Sequence, residues 1–307
     1  MEIEEDEVNK KYRSFQKFDV ITANPSDHHY IEKSSKKIKD TTIRRIASER
    51  KILENGLPNS IFVRAYEKRI DLMRAVIVGS NNGTPYSSGL FFFDIWFPSD
   101  YPNAPPKFYY HSHGIDLHPK LYENGKVCVS ILNTWNGQEK ELWRPEESNI
   151  LKALEAIQAK VLNAKPYSEN PDNNRVFVLS CKSMLYTLQN PPKHFEYFVK
   201  GHFRKHAQAI LLTCKEYMKN GESIDGIVKR LYNAFEENGA YCKHLAYLVN
   251  KENGIVNYEA DDKVIRRENS KSREQKKDSD KDKHGALRMA WMKLWGTKES
   301  TKELVYA

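Results

Sequence analysis

Apolar positions change their period along the chain, first helical and then strand-like. After residue 39 the stretch TTIRRIASERKILENG has apolar residues at helical spacing. Asp40 is a suitable N-cap for this helix, and Gly56 followed by Pro58 provides stop signals. The pattern therefore predicts a first helix from about Asp40 to Gly56.

The next part of the chain is rich in β-branched and aromatic residues. SIFVRAYEKRI, LMRAVIVGS and LFFFDIWF read as strands, with the turn-forming NNGTPYSSG before the last of them. A proline-rich stretch, PSDYPNAPP, cannot form a regular ladder and precedes a short strand at KFYYHS. We expect a four-stranded antiparallel meander followed by a rigid loop.

Helical periodicity returns after residue 148. Ser148 is a possible cap for SNILKALEAIQAKVL. Further helices are predicted at NRVFVLSCKSMLYTLQ, at PKHFEYFVKGHFRKHAQAILLTCKEYMKNG and at ESIDGIVKRLYNAFEENGAYCKHLAYLVNK. The predicted fold class is α+β, with an N-terminal helix, a four-stranded meander, C-terminal helices and disordered termini.

Changes in composition predict four regions. Residues 1–38 are polar and without a period, which indicates a mostly disordered segment with a short docking piece at FDVITANPSDHHY. Residues 39–220 form the predicted core and 221–258 a helical extension. Residues 259–307 are a charged tail in which GALRMAWMKLWG has helical spacing. That helix either packs back on the core or contacts a partner or a membrane surface.

Charge, cysteine content and hydropathy argue against several classes of protein. The net charge is +8 and the mean hydropathy −0.72, but the two signs are mixed, so a nucleic-acid partner is not expected. The four cysteines include no CxxC pair, which favours reduced thiols over disulfides or zinc. No apolar leader or membrane-length run is found, so we expect no membrane span and a cytoplasmic or nuclear location.

The segment HPKLYENGKVCVSIL carries the candidate chemistry. Taken alone, Cys128 between two valines predicts a buried core thiol, and His118 a turn or core histidine. Asn124 and Gly125 are a tight-turn pair. The residues around the cysteine leave two interpretations open, a core thiol or a presented nucleophile.

Several motifs in a fixed order resemble the ubiquitin-conjugating enzymes. FPSDYPNAPP resembles their proline-rich loop, HPKLYENGKVCVSIL their active-site segment, and WRPEESNILKALEAIQ their entry into the next helix. The resemblance covers about residues 40–218. The ILNTWNG insert, PPKHFEYFVKGHF, ILLTCKEYM and SDHHY are similar to the large hybrid conjugating/ligating enzymes and their plant relatives.

The resemblance implies a function for the site. The fold would be the ubiquitin-conjugating (UBC) fold, and Cys128 would accept ubiquitin as a thioester and pass it to a substrate lysine. His118 would support the loop before the cysteine, and Trp135 and Trp143 would form walls beside it. No cofactor or metal would be bound, because ATP is used by the upstream activating enzyme.

The implied partners are ubiquitin, the activating enzyme and protein substrates; a ubiquitin ligase stays open. Contacts to the activating enzyme would come from exposed basic residues of the first helix: Arg44, Arg45, Arg50 and Lys51.

Three positions depart from the family pattern. Lys120 stands where the family has an asparagine that stabilises the oxyanion of amine attack or stiffens the loop. Three interpretations of this lysine stay open: a cation that stabilises the same charge from a longer arm, an exposed substitute with no role, or a self-ubiquitination target. The loop KPYSENPDNNRVF is short, and Glu169, Asp172 and Asn173 are its polar candidates for assisting the incoming lysine. Asn103 replaces an apolar ligase-contact residue.

Two alternatives of other classes remain. One is a catalytically weak or inactive UBC-fold scaffold that binds ubiquitin, which Lys120 and the short loop favour and Cys128 opposes. The other is an unrelated basic binding protein. Thioester formation would distinguish the enzyme from the scaffold. Salt-dependent nucleic-acid binding would favour the unrelated basic binding protein.

Overall fold

A computed structural model describes residues 6–33, 38–80, 83–164, 173–219 and 224–250. The elements in chain order are helix α1 (Glu7–Arg13), strand β1 (Phe18–Ile21), helix α2 (Asp40–Gly56), strands β2 (Ile61–Tyr66), β3 (Leu72–Val78), β4 (Leu90–Trp96) and β5 (Lys107–Tyr110), and helices α3 (Ile150–Lys160), α4 (Asn173–Gln189), α5 (Glu196–Lys219) and α6 (Asp225–Glu237). Short 3₁₀ helices lie at Ser130–Leu132, Glu139–Glu141 and Lys243–Leu248.

The strands form one sheet in the order β1-β2-β3-β4-β5. Strands β2 to β5 are the predicted antiparallel meander, and the α+β fold class is confirmed. The sheet has a fifth strand, β1, which pairs in parallel with β2, with Phe18 opposite Val63. Strands β3 and β4 are buried along almost their whole length, because both faces of the sheet are covered.

Two hydrophobic clusters share this sheet. One face packs against α2 and α3 through residues such as Ile46, Leu53 and Leu154. The other face packs against α4, α5 and α6 through Phe177, Phe198 and related side chains. The sheet is therefore a middle layer, and the candidate cysteine follows its last strand.

The prediction that residues 1–38 are mostly disordered is wrong for the part that the structure describes. Residues 6–33 contain α1, β1 and a set of turns. Tyr12 and Phe15 pack against Phe198 of α5, at ring-centroid distances of 5.6 and 4.8 Å. Aromatic anchors without helical or strand periodicity look like disorder in a sequence, but α5 provides the surface that buries them.

Helix boundaries differ in detail from the prediction. The N-cap of α2 is Lys39, without a side-chain cap bond, and Asp40 is the first helical residue. Asn149 caps α3 by accepting the N–H of Lys152, whereas Ser148 Oγ accepts the N–H of Arg144. The single helix predicted from residue 222 onward ends at Glu237. It is followed by Gly239 with a φ of +87°.

A buried charge cluster ties the N-terminal segment to the sheet. Arg74 donates from Nε to Asp94 at 2.6 Å and from Nη1 to Asp27 at 2.9 Å. The side chains of Arg74 and Asp94 have 0% exposure. Asp94 also accepts the backbone N–H of His29 at 2.7 Å, and His28 is buried beside it. We call this group, Asp27, His28, His29, Arg74 and Asp94, the N-terminal clasp.

Stability is expected to fall as the pH drops below about 6.5, the pKa of an unperturbed histidine. Burial lowers the pKa of His202 to about 3 and that of His113 to about 4. Below pH 6.5 these two histidines bind protons in the unfolded chain but not in the folded chain. The free energy of unfolding therefore decreases as the pH falls from 6.5 towards the two folded-state pKa values. Each histidine contributes a slope of up to about 1.4 kcal/mol per pH unit.

Urea unfolding at pH 7, 6 and 5 measures this slope. His202 Nε2 lies 2.9 Å from the carbonyl oxygen of Ser88, so His202→Gln keeps a donor there without a titrating ring. This variant should take up about one proton fewer on unfolding, which lowers the slope of unfolding free energy against pH by up to about 1.4 kcal/mol per pH unit. The matched control is His244→Gln, on an exposed position. An unchanged slope in His202→Gln would contradict the prediction.

Several predictions fall outside the described residues. The boundaries at 220 and 258 and the tryptophan-containing helix of the tail lie within residues 220–223 and 251–307. The division into core, extension and tail stays a prediction. Within the described residues, no helix combines the length and apolar character needed to cross a bilayer.

Candidate active site

The candidate segment forms a short antiparallel ladder after strand β5. Leu121 pairs with Val127 across the ladder, and both side chains are buried in the core that includes α2 and α3. The Cys128 N–H donates to the carbonyl oxygen of Lys120 at 2.9 Å. With Leu121 opposite Val127, Lys120 lies opposite Cys128, and strand alternation places their side chains on the other face of the ladder from Leu121 and Val127.

A tight turn sets this register. The Gly125 N–H donates to the carbonyl of Tyr122 at 2.9 Å, and Asn124 accepts the N–H of Lys126 at 3.1 Å. Gly125 has a φ of +83°, and a Cβ there would lie 2.1 Å from the Tyr109 ring. The predicted tight turn is confirmed, and it requires glycine for both conformation and space.

His118 lies at the start of the ladder and is buried. Its Nδ1 accepts the backbone N–H of Lys120 at 2.9 Å, and its carbonyl accepts the N–H of Leu121 at 2.8 Å. These bonds hold the strand that faces Cys128. The geometry suits the loop support predicted for His118.

Two polar residues after the cysteine brace it from the other side. Thr134 Oγ1 donates to the carbonyl of Val127 at 2.9 Å and accepts the N–H of Val129 at 3.0 Å. Asn133 has a left-handed φ of 53°, and its side chain accepts the N–H of Trp143 at 2.9 Å. Neither Asn133 nor Thr134 is among the candidates predicted from the sequence. Thr and Asn after an apolar run are a signal for side chain to backbone bonds.

Trp143 joins the proline-rich loop to the segment after the cysteine, and its role as a wall beside Cys128 stays a prediction. It is buried, packs against Tyr101, and donates from Nε1 to the carbonyl of Pro102 at 2.7 Å. Tyr101 in turn donates to the buried Glu49 at 2.6 Å, and burial raises the pKa of this phenol, which keeps it a donor. Glu49 also accepts the N–H of Ile150 at 2.9 Å. The proline-rich loop, α2 and the start of α3 are thereby held to the segment after the cysteine.

Trp135 is not packed like Trp143. Its side chain is 46% exposed, and it lines an open cleft of about 780 Å³. The other lining residues are Lys126, Asn133, Thr134, Asn136, Gly137 and Leu142. Lys120 Nζ lies 6.0 Å from the centroid of the Trp135 ring. The cleft is therefore adjacent to the ladder that carries Cys128.

The four cysteines are free and buried, so exposure does not single out Cys128, which is 2% exposed. Cys128 is distinguished by its position, because it lies on the ladder. Cys181 and Cys214 lie in the interior of the helical layer. Reaction at its sulfur requires neighbouring side chains to move. Among the described residues, no cluster of His, Cys, Asp or Glu is arranged to hold a metal ion.

The other candidate residues are placed only in part. Glu169 and Asp172 lie outside the described residues, and Asn173 is the first residue of α4. Asn103 is exposed in the proline-rich loop.

The prediction of four exposed basic residues on α2 is wrong for two of them. Arg45 bonds to the buried Glu49, and Arg50 donates to the carbonyl of Tyr66 at 2.9 Å. Both side chains bond inward because acceptors lie within reach: Glu49 of α2 itself and the Ser148 carbonyl for Arg45, and the Tyr66 carbonyl of β2 for Arg50. Arg44 and Lys51 are exposed.

Comparisons with known proteins agree with this geometry. A family model described as ubiquitin-conjugating enzyme matches residues 45–189. "Putative ubiquitin-conjugating enzyme E2 38" of Arabidopsis thaliana is 43% identical, over 71% of this chain and 72% of that protein. "Probable ubiquitin-conjugating enzyme E2 23" of the same plant is 42% identical, over 76% of this chain.

A more distant match is the human "Dual E2 ubiquitin-conjugating enzyme/E3 ubiquitin-protein ligase BIRC6", 35% identical over 57% of this chain and 4% of that protein. The predicted resemblance to plant relatives and to the hybrid type is confirmed. The chain spans 25% of the length of the first plant relative, E2 23, and 41% of another, E2 25.

Proposed function

The chain belongs to the ubiquitin-conjugating enzyme family, and from this premise we propose that it accepts ubiquitin as a thioester on Cys128 and transfers it to a substrate lysine. The observation that carries the proposal is the ladder of residues 118–128. It holds Cys128 at a defined register, braced by His118 on one side and Thr134 on the other.

The reaction is two acyl transfers. The Cys128 thiolate attacks the thioester between the activating enzyme and the C-terminal glycine of ubiquitin; a new C–S bond forms and the enzyme's thiolate leaves. A substrate amine then attacks the new thioester, an amide bond forms and Cys128 leaves as thiolate. Neither step needs a metal or a bound cofactor, and ATP is used by the activating enzyme. We set the reaction in the cytoplasm or nucleus, where the four free thiols stay reduced.

The bracing supports both transfers. Hydrogen bonds on both flanks of Cys128 fix the backbone, so that only side chains have to move when the thioester forms. Amine attack further requires a deprotonated lysine, whose pKa is about 10.4 in water. A side chain that lowers the pKa of the incoming substrate lysine would therefore be part of the active site.

A charging assay tests the proposal. The chain is mixed with ubiquitin, a ubiquitin-activating enzyme and ATP, and the products are separated with and without a thiol reductant. An adduct of one ubiquitin that disappears with reductant supports the proposal. No adduct, with an activating enzyme that charges another conjugating enzyme in parallel, would contradict it and favour the non-catalytic scaffold.

Arg44→Glu together with Lys51→Glu is expected to slow charging about tenfold. We propose that these two exposed residues of α2 contact the activating enzyme. Loss of charge complementarity at an interface lowers the association rate. The measurement is the initial charging rate at several salt concentrations.

The matched control is Lys219→Glu, at the exposed end of α5. It should charge at the wild-type rate. Unfolding midpoints should stay unchanged in all variants, since these side chains make no buried contact. An unaltered charging rate in the double variant would remove α2 from the proposed contact surface.

A further inference from the structure

Lys120 and Cys128 lie on the same face of the ladder. Opposed residues in a hydrogen-bonded pair have Cα atoms about 5.5 Å apart, with side chains on the same side. The ladder places Lys120 and Cys128 in such opposition, and one bond, from Cys128 N–H to Lys120 oxygen, is formed at 2.9 Å. Leu121 and Val127 are buried in the core, so the other face of the ladder carries the thiol of Cys128, which is 2% exposed, and the primary amine of the half-buried Lys120.

The amine group of Lys120 lies near an aromatic ring and is not paired with a carboxylate among the described residues. Lys120 Nζ lies 6.0 Å from the centroid of Trp135. Within the described ranges Lys120 forms no ion pair. The ring attracts the ammonium form but has no such attraction for the free amine, which is the nucleophile. Trp135 itself is 46% exposed, so no packed layer covers this pair.

We propose that Lys120 is an internal acceptor site: in the absence of substrate, ubiquitin passes from Cys128 to the side-chain amine of Lys120, and Trp135 restrains this transfer. The proposal rests on the proposed function, because it requires the thioester on Cys128. The product is an isopeptide-linked ubiquitin that covers the site and blocks further charging.

The chemistry balances without another reactant. The deprotonated Nζ attacks the carbonyl carbon of the thioester, a C–N bond forms and the C–S bond breaks. Cys128 leaves as thiolate, and the proton lost from nitrogen passes through solvent to the sulfur. Proximity favours the step, since a directly opposed amine reacts at an effective concentration far above that of a free amine.

The test follows a single round of transfer. The chain is charged with ubiquitin, the activating enzyme is stopped by removing Mg²⁺, and the thioester is followed in time with and without reductant. In wild type we expect a reductant-resistant adduct to appear as the thioester decays. Digestion with trypsin should leave the Gly-Gly remnant on Lys120. The rate should be unchanged by tenfold dilution, because the transfer is internal.

Variants isolate the two side chains. Lys120→Arg keeps a cation beside Trp135 but has no reactive amine, and should lose the resistant adduct while the thioester persists. Lys140→Arg, at an exposed lysine of the same insert, is the matched control and should keep it. Trp135→Ala should speed the transfer about two- to fivefold, whereas Trp135→Phe, which keeps a ring, should change it less.

Failure of this inference is distinct from failure of the proposed function. If the thioester forms but decays only by hydrolysis, or the remnant lies on another lysine, Lys120 is not the acceptor and the conjugating function stands. A rate that falls on dilution would also overturn the internal transfer. If no thioester forms under conditions that charge another conjugating enzyme, the proposed function itself fails.

Discussion

Cys128→Ser is expected to replace the reductant-sensitive ubiquitin adduct by one that survives reductant, and Cys128→Ala to remove it completely. A serine oxygen forms an ester, which thiol reductants do not cleave, and serine is a weaker nucleophile, so the ester should accumulate more slowly. Alanine has no nucleophile. The measurement is gel separation of the charging reaction, with and without reductant, over time.

The control for this prediction is Cys242→Ser, a buried thiol near the C-terminal 3₁₀ helix. It should still form the reductant-sensitive adduct if the variant remains folded, which a thermal unfolding curve establishes. A reductant-sensitive adduct in Cys128→Ala would mean that another cysteine accepts ubiquitin. That result would contradict the assignment made from the ladder.

Arg74→Met is expected to lower the free energy of unfolding by about 3–5 kcal/mol, because it leaves a buried carboxylate without its partner. Burial by itself would raise the pKa of Asp94. Bonds and charges from His111 and Arg74 outweigh it and hold this pKa far below its ordinary value. With Arg74 removed, Asp94 must be buried as an unpaired anion or take up a proton. The measurement is urea unfolding at pH 7.

The double variant Arg74→Met/Asp94→Leu separates charge burial from packing. It should recover part of the loss, because replacing a buried pair by apolar residues is often near neutral. The loss of unfolding free energy in Arg74→Lys should lie between those of Arg74→Met and wild type. A single ammonium group cannot bond to Asp94 and Asp27 with the planar geometry of the guanidinium group. A loss below about 1 kcal/mol in Arg74→Met would show that the N-terminal clasp contributes little.

Much of the fold could be predicted from local patterns. The α2 helix ends at Gly56 as predicted, and the meander β2 to β5 lies where the β-branched and aromatic runs are. Apolar period and turn chemistry act over a few residues, so they can be read without knowing what packs on them. The caps at Lys39 and Asn149 were missed because several residues near a helix start can serve as the N-cap.

The candidate site was predictable in part. Cys128 and the Asn124-Gly125 turn were found from motif order and turn chemistry. The opposition of Lys120 to Cys128 follows from the register of that turn, but only the ladder shows that both lie on the other face from Leu121 and Val127. The brace by Thr134 and the outward position of Trp135 depend on how residues 133–142 fold back, which no short pattern encodes.

The sequence by itself determined the class of the protein, its helices and meander, and the candidate cysteine, because these depend on local periods and on ordered motifs. Only the tertiary structure decided which charged and aromatic side chains serve the interior. Tyr12 and Phe15 fold the N-terminal segment onto α5, and Arg74 closes the clasp. The physical reason is that the free energy of an aromatic or charged side chain depends on distant residues that enclose or pair with it.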